Sequence, residues 1–349
     1  MRILLRILLS LVALVVVLAL LLAAFGPFVI SPNPAPGVAD AGSVAAPDSR
    51  FLSIETPGGG PLEIHYLARP GPESDPGGLE AGADRMPHTF VLLHGFTFNA
   101  FTWSELLDAF ARRAPVIAYD QIPYGLSAKP SAALAEDADV YSKAAALNRL
   151  FTSLDRLGID RAILVGNSSG GTLALEAALA QPERVAGLVL IAPWVHSKRP
   201  ILPTRLVELP QVERLTLALG RYLGQGSPLL DYSYADVSRI DEARRALTGA
   251  HRLMAGWDLA WGALLQRSLT DPVEVAAHLG EIQQPALVLT GDSDQVVPPS
   301  DTEATAAALP NATLVVLPDC GHLAQEECPH QIRAAVDAWL DAEKLTAAP

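Results

Sequence analysis

The stretch RAILVGNSSGGTLALEAALA, residues 161–180, limits the possible folds more than any other part of this chain. It starts with an unbroken apolar run of the length and content of a buried strand and stops at Gly166. From Thr172 it resumes with the alanine and leucine content of a helix. Only a few small residues separate the two. A strand that passes directly into a helix is the unit of a parallel sheet, because the helix must carry the chain back before the next parallel strand can start.

The same alternation recurs along the chain. TFVLLHG, APVIAYD, VAGLVLIAP, PALVLTGD and ATLVVLP read as strands, while FTWSELLDAFARR, YSKAAALNRLFTSLDRLG, DTEATAAAL and PHQIRAAVDAWLDAEKL have helical spacing. Continuous apolar runs mean strands buried on both faces, hence an α/β fold with helices on either side of the sheet. FLSIET and LEIHYLA, joined through PGGGP, read as a hairpin ahead of this part. Residues 70–87, PGPESDPGGLEAGADRMP, are too rich in Gly, Pro and acid for either element and read as a surface loop. Residues 195–284 carry two helical patterns and no β-run, which predicts a helical cap inserted between core segments 50–194 and 285–349.

The N-terminus poses a different solvent problem. After Arg2 and Arg6, residues 7–25 form a 19-residue stretch with one hydroxyl and no charge. About 20 apolar residues at ~1.5 Å rise span a bilayer's ~30 Å hydrocarbon core. Residues 1–30 are therefore predicted to be a transmembrane anchor. The arginines place the N-terminus in the cytoplasm and the catalytic body on the outer side. Two other readings stay open: a cleaved secretory signal, with Ala39-Asp40-Ala41 as the cleavage site, and a buried core helix. Residues 31–49, rich in Pro, Gly, Ala and Ser, read as a linker.

Charge and cysteine content exclude several functions. Lys and Arg number 25 against 38 Asp and Glu, a net charge of −13, and no basic cluster suits a phosphate backbone, so nucleic acid is not an expected partner. Two cysteines supply neither a disulfide framework nor a Cys-based metal site. Cys320 and Cys328 could pair in an exported protein, or could be two unrelated half-buried thiols.

Gly166-Asn167-Ser168-Ser169-Gly170 has the G-x-S-x-G pattern of a nucleophile elbow, in which a sharp turn lifts the middle hydroxyl above the sheet's C-terminal edge. Ser168, with glycine two residues before and after it, is the candidate nucleophile in preference to Ser169. A serine hydroxyl needs a positioned base, and the order for this geometry is Ser, acid, His. LVLTGDSDQVVP offers Asp294, 126 residues after Ser168, with Asp292 as the turn-stabilising alternative. LPDCGHLAQEECP offers His322, 28 residues after Asp294 on the loop following the last strand. Two backbone N–H groups should face the developing oxyanion: one from Ser169, opening its helix, and one from Phe96, in the loop after FVLLHG. His94 is expected to bond nearby backbone there. Trp257 and Trp261, spaced i and i+4, are expected to pack within the cap.

These residues resemble the α/β-hydrolase superfamily in its cap-bearing serine hydrolase branch. The resemblance covers residues 51–345 through LLHGFTFNAFTW, YDQIPYGLSAKP, LVGNSSGG, LTGDSDQVVP and CGHLAQEECP. It implies an eight-stranded, mostly parallel sheet flanked by helices, a Ser168–His322–Asp294 triad, an oxyanion hole at Phe96 and Ser169, and no metal or organic cofactor. Ile122-Pro123 replaces the Pro-Gly or Arg-Gly common in relatives, and Ser169 stands where many have Met or Leu. A serine nucleophile argues against the dehalogenase and epoxide-hydrolase branches.

The expected activity is hydrolysis of a carboxylic ester, possible lipid-like esters included, through an acyl-enzyme. Carbon–carbon bond hydrolysis of the meta-cleavage type is the alternative, because relatives of that kind often show GNSxGG. A non-catalytic binding protein on the same fold is the third reading.

Overall fold

Eight of the apolar runs pair into one sheet with strand order β1-β2-β4-β3-β5-β6-β7-β8. The computed structural model describes residues 2–55, 60–72, 88–130, 140–197, 201–226 and 228–345. β1 (Ser49–Ile54) and β2 (Leu62–Arg69) form the expected antiparallel hairpin, and β2 pairs antiparallel with β4 (Val116–Tyr119). β3 (Thr89–Leu93), β5 (Ala162–Asn167), β6 (Val185–Ile191), β7 (Ala286–Gly291) and β8 (Ala312–Leu317) continue the sheet in parallel. Most of the PGGGP turn and of the loop read at residues 70–87 lies outside the described residues.

Successive residues of the central strands enter opposite cores, as a doubly covered sheet requires. Val91, Leu93 and Leu164 pack on one face with helices α3 (Lys143–Arg156) and α4 (Ser169–Ala180). Phe90, Leu92 and Val165 pack on the other with α2 (Ser104–Ala111) and α12 (Pro329–Glu343). Local chemistry sets the helix ends. Ser142 Oγ accepts from the Ala145 N–H (3.1 Å) to open α3, and Gly158, at φ 68°, ends its last turn.

Between β6 and β7 the described residues build α5 (Thr204–Val207), α6 (Pro210–Gly226), α7 (Pro228–Ser233), α8 (Glu242–Thr248) and α9 (Trp257–Ser268). The periodicity of residues 241–269 reads as one long helical pattern, but the chain breaks it with a 3-10 turn at Ala250–Leu253 and with Gly256 at φ 71°. α10 (Pro299–Ala308) and the short α11 (Ala324–Glu327) complete the core.

The helix α1 (Arg2–Phe25) belongs to an apolar span, Leu9–Val29, with mean hydropathy 2.9 and none of its window buried, which removes the core-helix reading. The linker expectation needs correction. Residues 31–49 do not run free: residues 31–38 lie along α6 and the start of α9, and Ala41, Val44, Ala45 and Ala46 pack on the core. Val38 exchanges backbone hydrogen bonds with Leu253 and Ala255, Asp258 accepts from the Ala35 N–H, and Arg221 donates to the Ser31 and Asn33 carbonyls. Composition pointed to a linker because this segment has few apolar side chains. Its backbone hydrogen bonds and a few small apolar side chains hold it, and the hydrogen bonds depend on partners about 200 residues away.

Candidate active site

Ser168 alone makes the turn between β5 and α4, at φ 53° and ψ −120°. A non-glycine residue in that region costs about 1–3 kcal/mol and persists only where its surroundings hold it. Here the Ser168 N–H donates to the Ile191 carbonyl (3.0 Å), and its own carbonyl accepts from Gly171, Thr172 and Trp194. The turn is too tight for side chains on either flank. A Cβ on Gly166 would sit 2.4 Å from the Gly170 oxygen, and one on Gly170 would sit 2.1 Å from the Leu93 oxygen.

The loops after β7 and β8 bring an acid and an imidazole together. His322 Nδ1 lies 2.8 Å from Asp294 Oδ2, and both residues are buried. Asp294 Oδ1 accepts from the Val296 and Val297 N–H groups at 2.8 and 2.9 Å, so both carboxylate oxygens are engaged and their direction is set. With Nδ1–H donating to the carboxylate, Nε2 is left as the acceptor. Asp292, by contrast, is exposed, and among the described residues its side chain accepts only from the Ser293 hydroxyl. Asn167 Nδ2 donates to the His322 carbonyl (3.0 Å), tying the histidine loop to the strand that ends at Ser168.

A second layer holds that loop, and sequence reading missed it. The Glu327 carboxylate accepts from the N–H of Gly321 (2.7 Å) and from those of Ala235 and Asp236 in the insertion. The Ser233 carbonyl accepts from His322 and Leu323. Its neighbour Glu326 is buried and accepts from Thr102 and Tyr234; burial pushes its carboxyl up, against the Arg244 charge. Cys320 and Cys328 are joined, with Cα atoms 6.1 Å apart, which resolves the two cysteine readings. The one available signal was the pair of acids closely following His322.

On the opposite side, the loop after β3 carries Gly95 and Phe96 against the turn. A Cβ on Gly95 would be 3.1 Å from Ser168 Cβ, and Thr97 sits at φ 68°. Among the described residues, no hydrogen bond uses the N–H of Phe96 or of Ser169. His94 is buried and its tautomer is defined. The Gln121 N–H donates to Nε2 (2.9 Å), so Nδ1 carries the hydrogen and donates to the Gly95 carbonyl (2.8 Å). Asp120 stabilises this loop from below, accepting from Ala100, Leu126 and His65 Nδ1. Burial would raise its carboxyl, but His65, His94 and the Ala100 N–H together outweigh it and hold the pKa at about 2. Neither Asp120 nor His65 carried a sequence signal, because their pairing spans 55 residues.

Ser168, Ser169 and Phe96 line one cavity of about 620 Å³ between the core and the insertion, walled mainly by apolar side chains. Trp257 and Trp261 pack instead against His251, whose ring stacks on Trp261 at 4.3 Å. Burial, and then the Lys129 ammonium, push His251 down to about 3. Folding therefore favours its neutral form. The stability this gives is complete above the unfolded pKa of about 6.5 and is lost as pH falls from there toward about 3, by about 1.4 kcal/mol per pH unit for one proton. Buried His94 shifts the same way, so His251→Phe should make the decline between pH 6.5 and 4.5 shallower without abolishing it. Urea melts of both proteins across that range measure it; identical slopes would mean His251 titrates normally.

A family model described as alpha/beta hydrolase fold matches residues 88–329. The chain belongs to the α/β-hydrolase family. This hydrolase is 31% identical over 293 residues to the 2-hydroxy-6-oxononadienedioate/2-hydroxy-6-oxononatrienedioate hydrolase of Paraburkholderia phymatum, covering 81% of this chain and 92% of that one. It is 30% identical over 249 residues to an uncharacterized hydrolase of Bacillus subtilis, covering 70% and 86%. Its fold is also that of a bacterial membrane phospholipase A, with TM-score 0.62 and 24% identity over 97% of this chain and 99% of the other.

Proposed function

We propose that this hydrolase cleaves a carboxylic ester through an acyl-enzyme on Ser168. The observation that carries the reading is the strained Ser168 turn, joined through Asn167 to a loop whose His322 is paired with Asp294. Ser168 Oγ attacks the carbonyl carbon while His322 Nε2 takes its proton. The Asp294 carboxylate stabilises the resulting imidazolium and does not itself become protonated. The N–H groups of Ser169 and Phe96 receive the developing oxyanion. His322 returns the proton to the leaving oxygen, and water repeats the sequence on the acyl-enzyme to release the acid.

Cleavage of a carbon–carbon bond next to a carbonyl is the second reading, favoured by the identity with a dienedioate hydrolase. A fluorophosphonate probe should label Ser168 under either reading and would not label a binding protein. Turnover of short p-nitrophenyl esters, with none of a vinylogous dienone acid, supports the ester reading; the reverse result replaces it.

We also propose that α1 anchors the protein in a membrane, with the N-terminus inside and the body outside. The span is unburied, and α1 and the turn after it meet α6 where Gln211 donates to the Ala24 carbonyl. Beside that junction α6 and the turn before it expose Leu209, Leu215, Leu219 and Tyr222. An apolar surface placed there favours substrates that partition into or near the bilayer. The full chain should sediment with membranes and resist carbonate extraction. A chain starting at Ser31, which keeps the docked segment, should be soluble and active. Recovery of a mature N-terminus near Gly42 would identify a cleaved signal instead.

A further inference from the structure

The cavity wall formed by α3 contains a cation that no carboxylate among the described residues pairs with. Ser142, Lys143, Ala146 and Arg149 all line the cavity, spaced so that they share one helix face. The Lys143 charge is met: its Nζ lies 2.7 Å from Glu176 Oε1. Arg149 differs. It is 7% exposed, its Nη1 donates to the Val140 carbonyl (2.7 Å), and among the described residues no carboxylate forms an ion pair with it. The ionisable groups that act on it are the phenols of Tyr119 and Tyr141. Burial raises both phenols above their ordinary range, so they are neutral and leave the guanidinium uncompensated. A buried charge without a counter-charge is among the most expensive features a fold can carry, and this one borders a cavity that Ser168 also lines.

We propose that Arg149 is the binding site for a carboxylate on the far end of the substrate. The inference rests on Ser168 being the nucleophile and adds the substrate class: an apolar-bodied molecule with the scissile carbonyl at one end and a carboxylate at the other. Among the described residues that line the cavity, Lys143 pairs with Glu176 and Asp271 with Arg267, which leaves Arg149 as the cation without an ion pair; the charge count therefore selects a monoanion, because a phosphate monoester would bury a second negative charge. A carboxylate also suits the planar guanidinium, which offers paired N–H donors. Tyr119, neutral and lining the same cavity from β4, offers a further hydroxyl donor there.

The test compares p-nitrophenyl half-esters of glutaric, adipic and pimelic acid with neutral p-nitrophenyl esters of the same chain length. The wild-type protein should favour the half-ester in kcat/KM by 10-fold or more at one of these lengths. That ratio should fall about 30- to 100-fold in Arg149→Met and less in Arg149→Lys, the size expected for a charged hydrogen bond. No preference at any length, or a ratio unchanged in Arg149→Met, overturns the proposal and leaves Arg149 only the Val140 carbonyl to hold. A second measurement does not need ester turnover or a folded variant. Free valerate or hexanoate should protect wild-type Ser168 from fluorophosphonate at concentrations at least 10-fold below their neutral isosteres, valeramide or hexanamide. Equal protection overturns the anion site, while absence of labelling defeats the nucleophile reading itself.

Discussion

Ser168→Ala is expected to lower turnover of a p-nitrophenyl ester by about 10⁶-fold, leaving only what the oxyanion donors and binding supply. Alanine removes the attacking oxygen and nothing that holds the turn. Among the described residues the hydrogen bonds at Ser168 use its backbone, and both residues carry the same Cβ at φ 53°. Thermal melting should therefore change little while fluorophosphonate labelling disappears. Ser169→Ala is the control, because only the Ser169 backbone N–H is assigned to the reaction. An inactive Ser169→Ala beside an active Ser168→Ala would show that the hydroxyls have been assigned in the wrong order.

The second large effect is expected at the acid. In Asp294→Asn, the amide oxygen can keep the Val296 and Val297 N–H bonds, which directs the amide nitrogen toward His322 Nδ1. A donor in that place favours the tautomer with hydrogen on Nε2, the atom that must accept from Ser168. Turnover should drop by roughly 10⁴-fold with little change in KM, as expected when a triad imidazole is held in the wrong tautomer. Asp292→Asn should cost less than about 3-fold, since that exposed side chain meets only Ser293 and neutral surface changes rarely exceed about 0.5 kcal/mol. Comparable losses at the two positions would remove the distinction between them.

The elements that position the candidate site were legible because their signals are local. β5, the glycine-flanked turn and α4 follow from residues within one stretch of 20, where apolar length, small residues and helix formers each mark their own segment. The acidic loop in LVLTGDSDQVVP and the loop after the last strand likewise singled out Asp294 and His322 as candidates. Periodicity misled in the insertion. Residues 241–269 keep a helical spacing while the backbone turns at Ala250–Leu253 and reverses hand at Gly256. A hydrophobic pattern records which face is buried and is silent about where the axis bends.

By itself, the sequence determined the α/β alternation, the strained turn at Ser168 and the apolar span at the N-terminus, because each depends on residues near one another in the chain. Only the tertiary structure decided the docking of residues 31–38, the Glu327 bonds that join the insertion to the histidine loop, and the placement of Arg149 on a cavity wall with no ion pair among the described residues. These arise from hydrogen bonds and charge pairs that cross tens to hundreds of residues. A polar side chain's role is set by its nearest partners in space, and composition or spacing cannot specify a partner that the fold has yet to bring near.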